Sequence, residues 1–217
     1  FGWAIAPSAI TVFAEVKNPK KDETSLKLLT KIILKRVAAS DQLKVIIYLM
    51  DIYRPQAFAM DGTGAGQPVI ELLSAKVKED ANTLHMLERI KSFNFSQKVI
   101  VGFDDTVKID ENKTDGFMDA AIERPFLEAS ADAMRLLIDD TRFMLPYDKD
   151  VIGELQSTPK NSRATPDAYG KSTHRKTGQH TMDAMRMAVL AFSTAPIEEF
   201  IKMHQDTWEP PPMYFLD

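Results

Sequence analysis

Residues 57–68 read Ala57-Phe58-Ala59-Met60-Asp61-Gly62-Thr63-Gly64-Ala65-Gly66-Gln67-Pro68. An apolar run ends in a carboxylate, passes through closely spaced glycines and meets a proline. No single regular element can run through such a stretch, because glycine weakens helix and strand interiors alike. Pro68 lacks an N–H but is well placed in the first turn of a helix, where that donor has no partner anyway. The stretch therefore predicts strand, tight turn and helix, with Asp61 at the carboxyl end of the strand. Open α/β sheets present functional side chains at that position. An Asp-Gly turn that simply stops a strand is the common alternative. A second acid, Asp183 within Gln179-His180-Thr181-Met182-Asp183-Ala184, makes convergence of two carboxylates the question to settle.

The flanking pattern supports an α/β chain. Phe1 to Ala6 reads as the end of a strand, and Thr11 to Lys17 as a strand. Asn18-Pro19-Lys20-Lys21-Asp22 is a polar turn. From Leu26 to Val37 the period is two, with Leu26, Leu28, Ile32 and Leu34 on one face and Lys27, Lys31 and Lys35 on the other. That alternation predicts a strand with one buried face. Ser40 or Asp41 can cap a helix carrying Leu43, Ile46, Ile47, Met50 and Tyr53, which Pro55 ends. The order up to Asp61 is then βββαβ.

Beyond the turn, Val69, Leu72, Leu73 and Val77 give Pro68 an amphipathic helix. Leu84, Leu87 and Ile90 predict a short additional helix, and Phe93-Asn94-Phe95-Ser96 a loop. Val99 to Phe103 is a buried strand ending at Asp104-Asp105, best explained as a solvated strand terminus. Asp110 to Asp119 is a polar excursion. Phe126 to Ile138 predicts a helix, ended by Asp139-Asp140. Phe143-Met144-Leu145 predicts a brief strand, Val151 to Gln156 a short helix, and Gln179 to Phe192 a helix with Met182, Met185, Val189 and Phe192 inward. From Pro196 the tail, with Pro210-Pro211-Pro212, is not expected to pack tightly throughout.

Composition narrows the function classes. The 217 residues carry a net charge of −4 and no cysteine. Disulfides, thiolate nucleophiles and cysteine-based zinc sites are thereby excluded, which fits a reducing compartment. No apolar run is long enough to span a bilayer, and the opening residues lack a signal-peptide pattern. Any DNA contact must come from a local patch. The one local concentration of positive charge is residues 158–178, with Lys160, Arg163, Lys171, His174, Arg175 and Lys176 against Asp167. It reads either as a solvated surface loop or as a segment that grips phosphates.

Carboxylates converging without cysteine favour a hard divalent cation, Mg²⁺ or Mn²⁺. His180 lies three residues before Asp183 and on the same helix face, so the two could share one ion. The glycine turn is not a P-loop, since no lysine-serine or lysine-threonine pair comes after it.

Together these residues resemble a known family. The βββαβ order with an acid closing the fourth strand resembles the ribonuclease H-like plan: a mixed sheet, antiparallel in its first three strands and then parallel, with helices on both faces. Asp61-Gly62-Thr63-Gly64-Ala65-Gly66-Gln67-Pro68, followed by Gln179-His180-Thr181-Met182-Asp183-Ala184, resembles the nuclease domain of the large terminase subunit of tailed bacteriophages. The likeness spans residues 1–195 and leaves 196–217 as a C-terminal tail.

The resemblance implies a Mg²⁺- or Mn²⁺-dependent endonuclease, with two ions expected, that cuts concatemeric double-stranded DNA during genome packaging in the host cytoplasm. It implies a packaging ATPase domain in the same full-length protein, and a portal ring and a small terminase subunit as partners. Of three family acids, Asp61 and Asp183 match the second and third, and His180 matches a histidine that some members add. Lys160, Arg163, Lys171, Arg175 and Lys176 are the expected DNA contacts. The first acid has no match here. Phe1-Gly2-Trp3 resembles the family's residues just past that acid, so the sequence is expected to begin immediately after it. The alternatives are a resolvase- or transposase-type nuclease, or a non-catalytic DNA- or portal-docking domain of the same fold.

Overall fold

The structure is a computed structural model that describes residues 8–18, 23–63, 66–79, 89–104, 106–107, 116–157 and 180–206. Strand β1 (Ser8–Asn18) and strand β2 (Glu23–Leu34) form a long antiparallel pair. Alternation decides which face of β2 is covered: Leu26 and Leu28 are buried while Lys27 and Leu29 face outward. The strand starts and ends earlier than the Leu26–Val37 expectation, because its first residues pair with Asn18 and its neighbours on β1.

Helix α1 (Ala39–Tyr53) begins before the expected caps. Ala38 holds the cap position without a side-chain hydrogen bond, and Asp41 lies inside the first turn, where its charge still favours the helix N-terminus. Strand β3 (Phe58–Asp61), the glycine turn and helix α2 (Gln67–Glu79) come next, as expected.

Strand β4 (Ile90–Phe93) pairs in parallel with β3 along its full length. Ile90 and Phe93 thus belong to a strand instead of the expected extra helix and loop, while residues 94–96 form a turn where the loop was expected. Ile90 sits at helical spacing from Leu84 and Leu87, but the latter two lie outside the described residues, and a four-residue strand is too short to display its own alternation.

Strand β5 (Lys98–Phe103) pairs antiparallel with strand β6 (Ala121–Pro125), which the sequence pattern did not predict. A 3-10 turn, Gly116–Ala120, precedes it, and residues 110–115 of the expected polar excursion lie outside the described residues. Helix α3 (Phe126–Asp139) leads to strand β7 (Phe143–Met144), which lies parallel to β2. Helix α4 (Lys149–Ser157) and helix α5 (His180–Asp206) complete the described elements.

Helix α5 runs through Pro196 instead of ending near Phe192. Pro196 can donate no bond to the Phe192 carbonyl, yet side chains engage the neighbouring carbonyls. Thr194 Oγ1 donates to Leu190 O at 2.9 Å, and Lys91 Nζ donates to Ala191 O at 3.3 Å. Lys91 also pairs with Glu198 at 2.7 Å, which ties the distal part of α5 to β4.

The protein is α/β, with parallel and antiparallel strand pairs. The described strands pair as β1-β2-β7, β3-β4 and β5-β6, three small groups instead of one continuous sheet. Cores form on both sides of β3. Met60 packs with Ile46 and Met50 of α1 and with Val69, Leu73 and Val77 of α2. Its neighbour Ala59 packs on the other side, against Phe126, Ala129, Met187 and Leu190 of α3 and α5. Successive strand residues point to opposite faces, so β3 is sandwiched between helix layers. A third core joins Leu26 to Met134, Leu137, Val151, Met182, Met185 and Val189. Helix α5 therefore borders strands, α3 and α4 at once.

Candidate active site

Asp61 ends β3 with the same parity as Ala59, which packs toward α5. Its carboxylate is fixed from the turn: Oδ1 accepts Thr63 N–H at 2.9 Å and Thr63 Oγ1 at 2.5 Å. The backbone closes around it. Gly62 N–H donates to Phe93 O at 2.7 Å, and Gly66 packs on the Asp61 backbone so closely that a Cβ there would lie 1.8 Å from Asp61 O. The Gly66 carbonyl then accepts Val69 and Ile70 N–H, both at 3.1 Å, and so starts α2. Gly62 and Gly66 serve a strand-to-helix turn, as their spacing before Pro68 predicts, while Gly64 lies outside the described residues.

Asp104 makes the same local turn at the end of β5: its Oδ1 accepts Thr106 N–H at 2.9 Å and Oγ1 at 2.6 Å. These bonds hold its carboxyl below the ordinary value. Asp104 is solvent-exposed, so the solvated-terminus reading stands for it. Turn chemistry alone does not separate Asp61 from Asp104; the face each strand end presents does.

His180 is the first residue of α5, and Asp183 lies in its first turn. Thr181 and Met182 between them are buried at 1% exposure each, which anchors the turn in the core. Burial pushes the Asp183 carboxyl above the ordinary carboxylate value. The Arg186 guanidinium and His180 pull it back, while the negative charges of Asp61 and Glu154 push it further up. The charge of Asp61, distant in sequence, thus reaches Asp183 across the β3–α5 junction.

Two further groups at the site stand out only in the structure. Arg186 Nη1 lies 3.7 Å from Asp183 Oδ1, with the guanidinium side chain only 13% exposed. Burial lowers the Arg186 pKa from its ordinary value and the Asp183 charge raises it. Its i,i+3 spacing from Asp183 was the available signal. Glu154 of α4 accepts Met182 N–H through Oε2 at 2.9 Å. An acid on a short amphipathic helix gave no comparable signal.

Asp61, Asp183 and His180 have the hard oxygen and imidazole donors that Mg²⁺ or Mn²⁺ takes. The mutual repulsion of the two carboxylates is what a cation would relieve. Among the described residues, no group of three or more His, Asp or Glu side chains is assembled closely enough to hold an ion as it stands. The donor chemistry fits, with two acids and one histidine as the candidates. Lys160, Arg163, Lys171, Arg175 and Lys176 lie outside the described residues.

No family model, curated protein or solved structure matches this chain. Among the described residues, no helix is long and apolar enough to cross a membrane.

Proposed function

We propose that this chain is a metal-dependent DNA endonuclease of ribonuclease H-like plan, the nuclease portion of a viral genome-packaging terminase. One observation carries the reading: Asp61 ends β3, a strand that packs against α5, and Asp183 lies in the first turn of α5. A strand-end acid and a helix-start acid meeting in this way is what the sequence resemblance requires.

Asp61 and Asp183 would hold Mg²⁺ or Mn²⁺, with His180 contributing through a neutral ring nitrogen. Bound divalent ions supply activation of water and neutralisation of charge at the leaving oxygen of a phosphodiester. The chain supplies placement. Thr63 occupies Asp61 Oδ1 and so fixes the plane of that carboxylate. Arg186 offsets the charge of Asp183 from the buried side of the helix. Glu154 of α4 and Met182 of α5 are in contact. Lys160, Arg163, Lys171, Arg175 and Lys176, which lie between these helices in sequence, would grip phosphates without reading sequence.

Relaxation of supercoiled plasmid in Mn²⁺ tests the reading. Asp61→Asn and Asp183→Asn should each lower the nicking rate by about 100-fold or more, with an unchanged far-ultraviolet circular dichroism spectrum. Full nicking by either variant removes that residue from the site. Absence of nicking by the unaltered protein, with DNA binding intact, favours the docking alternative.

A further inference from the structure

A helix leaves its first N–H groups without intrahelical partners, and a nearby side-chain oxygen normally accepts one of them. In α5 the third residue, Met182, donates its N–H to Glu154 of the preceding helix. The acceptor is thus a carboxylate from α4, which suits the positive end of a helix dipole. Val151, fully buried, and Leu155 of the same helix pack against Met182 and Met185 of α5. Glu154 lies between them in sequence. Two apolar contacts and one charge-assisted hydrogen bond therefore join α4 to the start of α5, and Asp183 is the residue next after Met182.

We propose that Glu154 is a positioning residue: its carboxylate clasps the first turn of α5 to α4 and thereby fixes the orientation of Asp183, the residue next to the clasp. Apolar packing alone sets the distance between the helices but leaves the first turn free to fray or rotate. The hydrogen bond adds direction and holds the register of that turn. Asp183 stands beside the clasp, and Arg186, three residues further along the same helix, lies 3.7 Å from its carboxylate. Its role in metal binding rests on the reading proposed above; the clasp itself does not.

The test compares Glu154→Ala, Glu154→Gln and Leu155→Ala in the full-length protein, with hydrogen exchange of the Met182 amide and Mn²⁺ affinity as readouts. Gln retains an acceptor oxygen, Ala removes it, and Leu155→Ala weakens helix packing while leaving the acceptor. Glu154→Ala should speed exchange at Met182 roughly fivefold to tenfold and weaken Mn²⁺ binding by about 10-fold, as loss of a residue supporting a metal ligand does. Glu154→Gln should stay within about threefold of the unaltered protein on both measures. Leu155→Ala should melt earlier yet bind Mn²⁺ within the same threefold range.

Unchanged exchange in Glu154→Ala overturns the clasp. Equal weakening of Mn²⁺ binding by Gln and Ala overturns positioning through the acceptor, since charge alone would then account for it. Equal weakening by Leu155→Ala reduces Glu154 to general packing. If Asp61→Asn and Asp183→Asn leave Mn²⁺ binding unchanged, the metal reading fails, and amide exchange alone decides the clasp.

Discussion

A methyl group at Gly66 would sit 1.8 Å from the Asp61 carbonyl oxygen, a backbone atom held by the end of β3. One at Gly62 would meet Ser92 Oγ at 2.2 Å, but that hydroxyl can rotate away. The two glycines are therefore unequal. Gly66→Ala should cost about 1–3 kcal/mol, the range for forcing an atom into packed structure, and should displace Asp61. Gly62→Ala should cost less, and adding Ser92→Ala should recover most of the loss. Urea unfolding of the three variants measures this, and an equal cost for both glycines would contradict it.

Asp183 holds its proton more tightly in the folded chain than in the unfolded one, because burial and neighbouring acids raise its pKa. Without a cation, stability therefore falls as pH rises from the ordinary aspartate range through the raised value. A divalent ion needs the carboxylate, so its binding tightens across that same interval. Asp183→Asn should raise the melting temperature at neutral pH without added metal, by on the order of 2 °C. It should also abolish the Mn²⁺-induced rise. A melting point below that of the unaltered protein would show that Arg186 depends on the Asp183 charge more than burial opposes it.

Among the elements, α4 is tied down at both ends. Asp148 caps it, accepting Asp150 N–H at 2.9 Å and Val151 N–H at 3.1 Å, and also pairs with Lys31 of β2 at 2.8 Å. The Lys31 bond and the backbone donors hold the Asp148 carboxyl below its ordinary value. Its contribution is therefore present above the ordinary aspartate range and is lost as pH falls through the lowered value. Asp148→Ala should cost about 1 kcal/mol, or roughly 2–4 °C, near neutral pH and progressively less in acid. Thermal melts across pH test both parts, and a cost that persists in acid would contradict the assignment.

Elements with long periodic patterns were legible in the sequence: β1, β2, α1, α2 and α3 lie where alternation or helical spacing puts them. Among the short elements, β3, β5, β7 and α4 were legible from their apolar runs, but β4 and β6 were not. β4 owes its existence to β3 alongside it, and β6 ends in a proline with four of its five residues exposed, so its hydrophobic signal is weak. Pro196 suggested a helix end because local rules cannot show Lys91, distant in sequence, reaching the Ala191 carbonyl. The glycine turn, Asp61 and the helix carrying His180 and Asp183 were legible because each is local. Glu154 was not, since its role depends on a contact between helices.

At the scale of the whole molecule, α5 organises the arrangement. It packs against strands and helices together and starts where β3 ends, which brings residues 61 and 183 into one electrostatic neighbourhood. His180 begins the same helix three residues before Asp183, so the histidine lies beside the acids at the start of α5.

Anomalous diffraction from crystals soaked in Mn²⁺ tests the convergence of the two acids most directly. An anomalous peak within about 2.0–2.4 Å of carboxylate oxygens of both Asp61 and Asp183 is the expected result. Full occupancy of Mn²⁺ elsewhere, with neither carboxylate coordinated, would contradict the site.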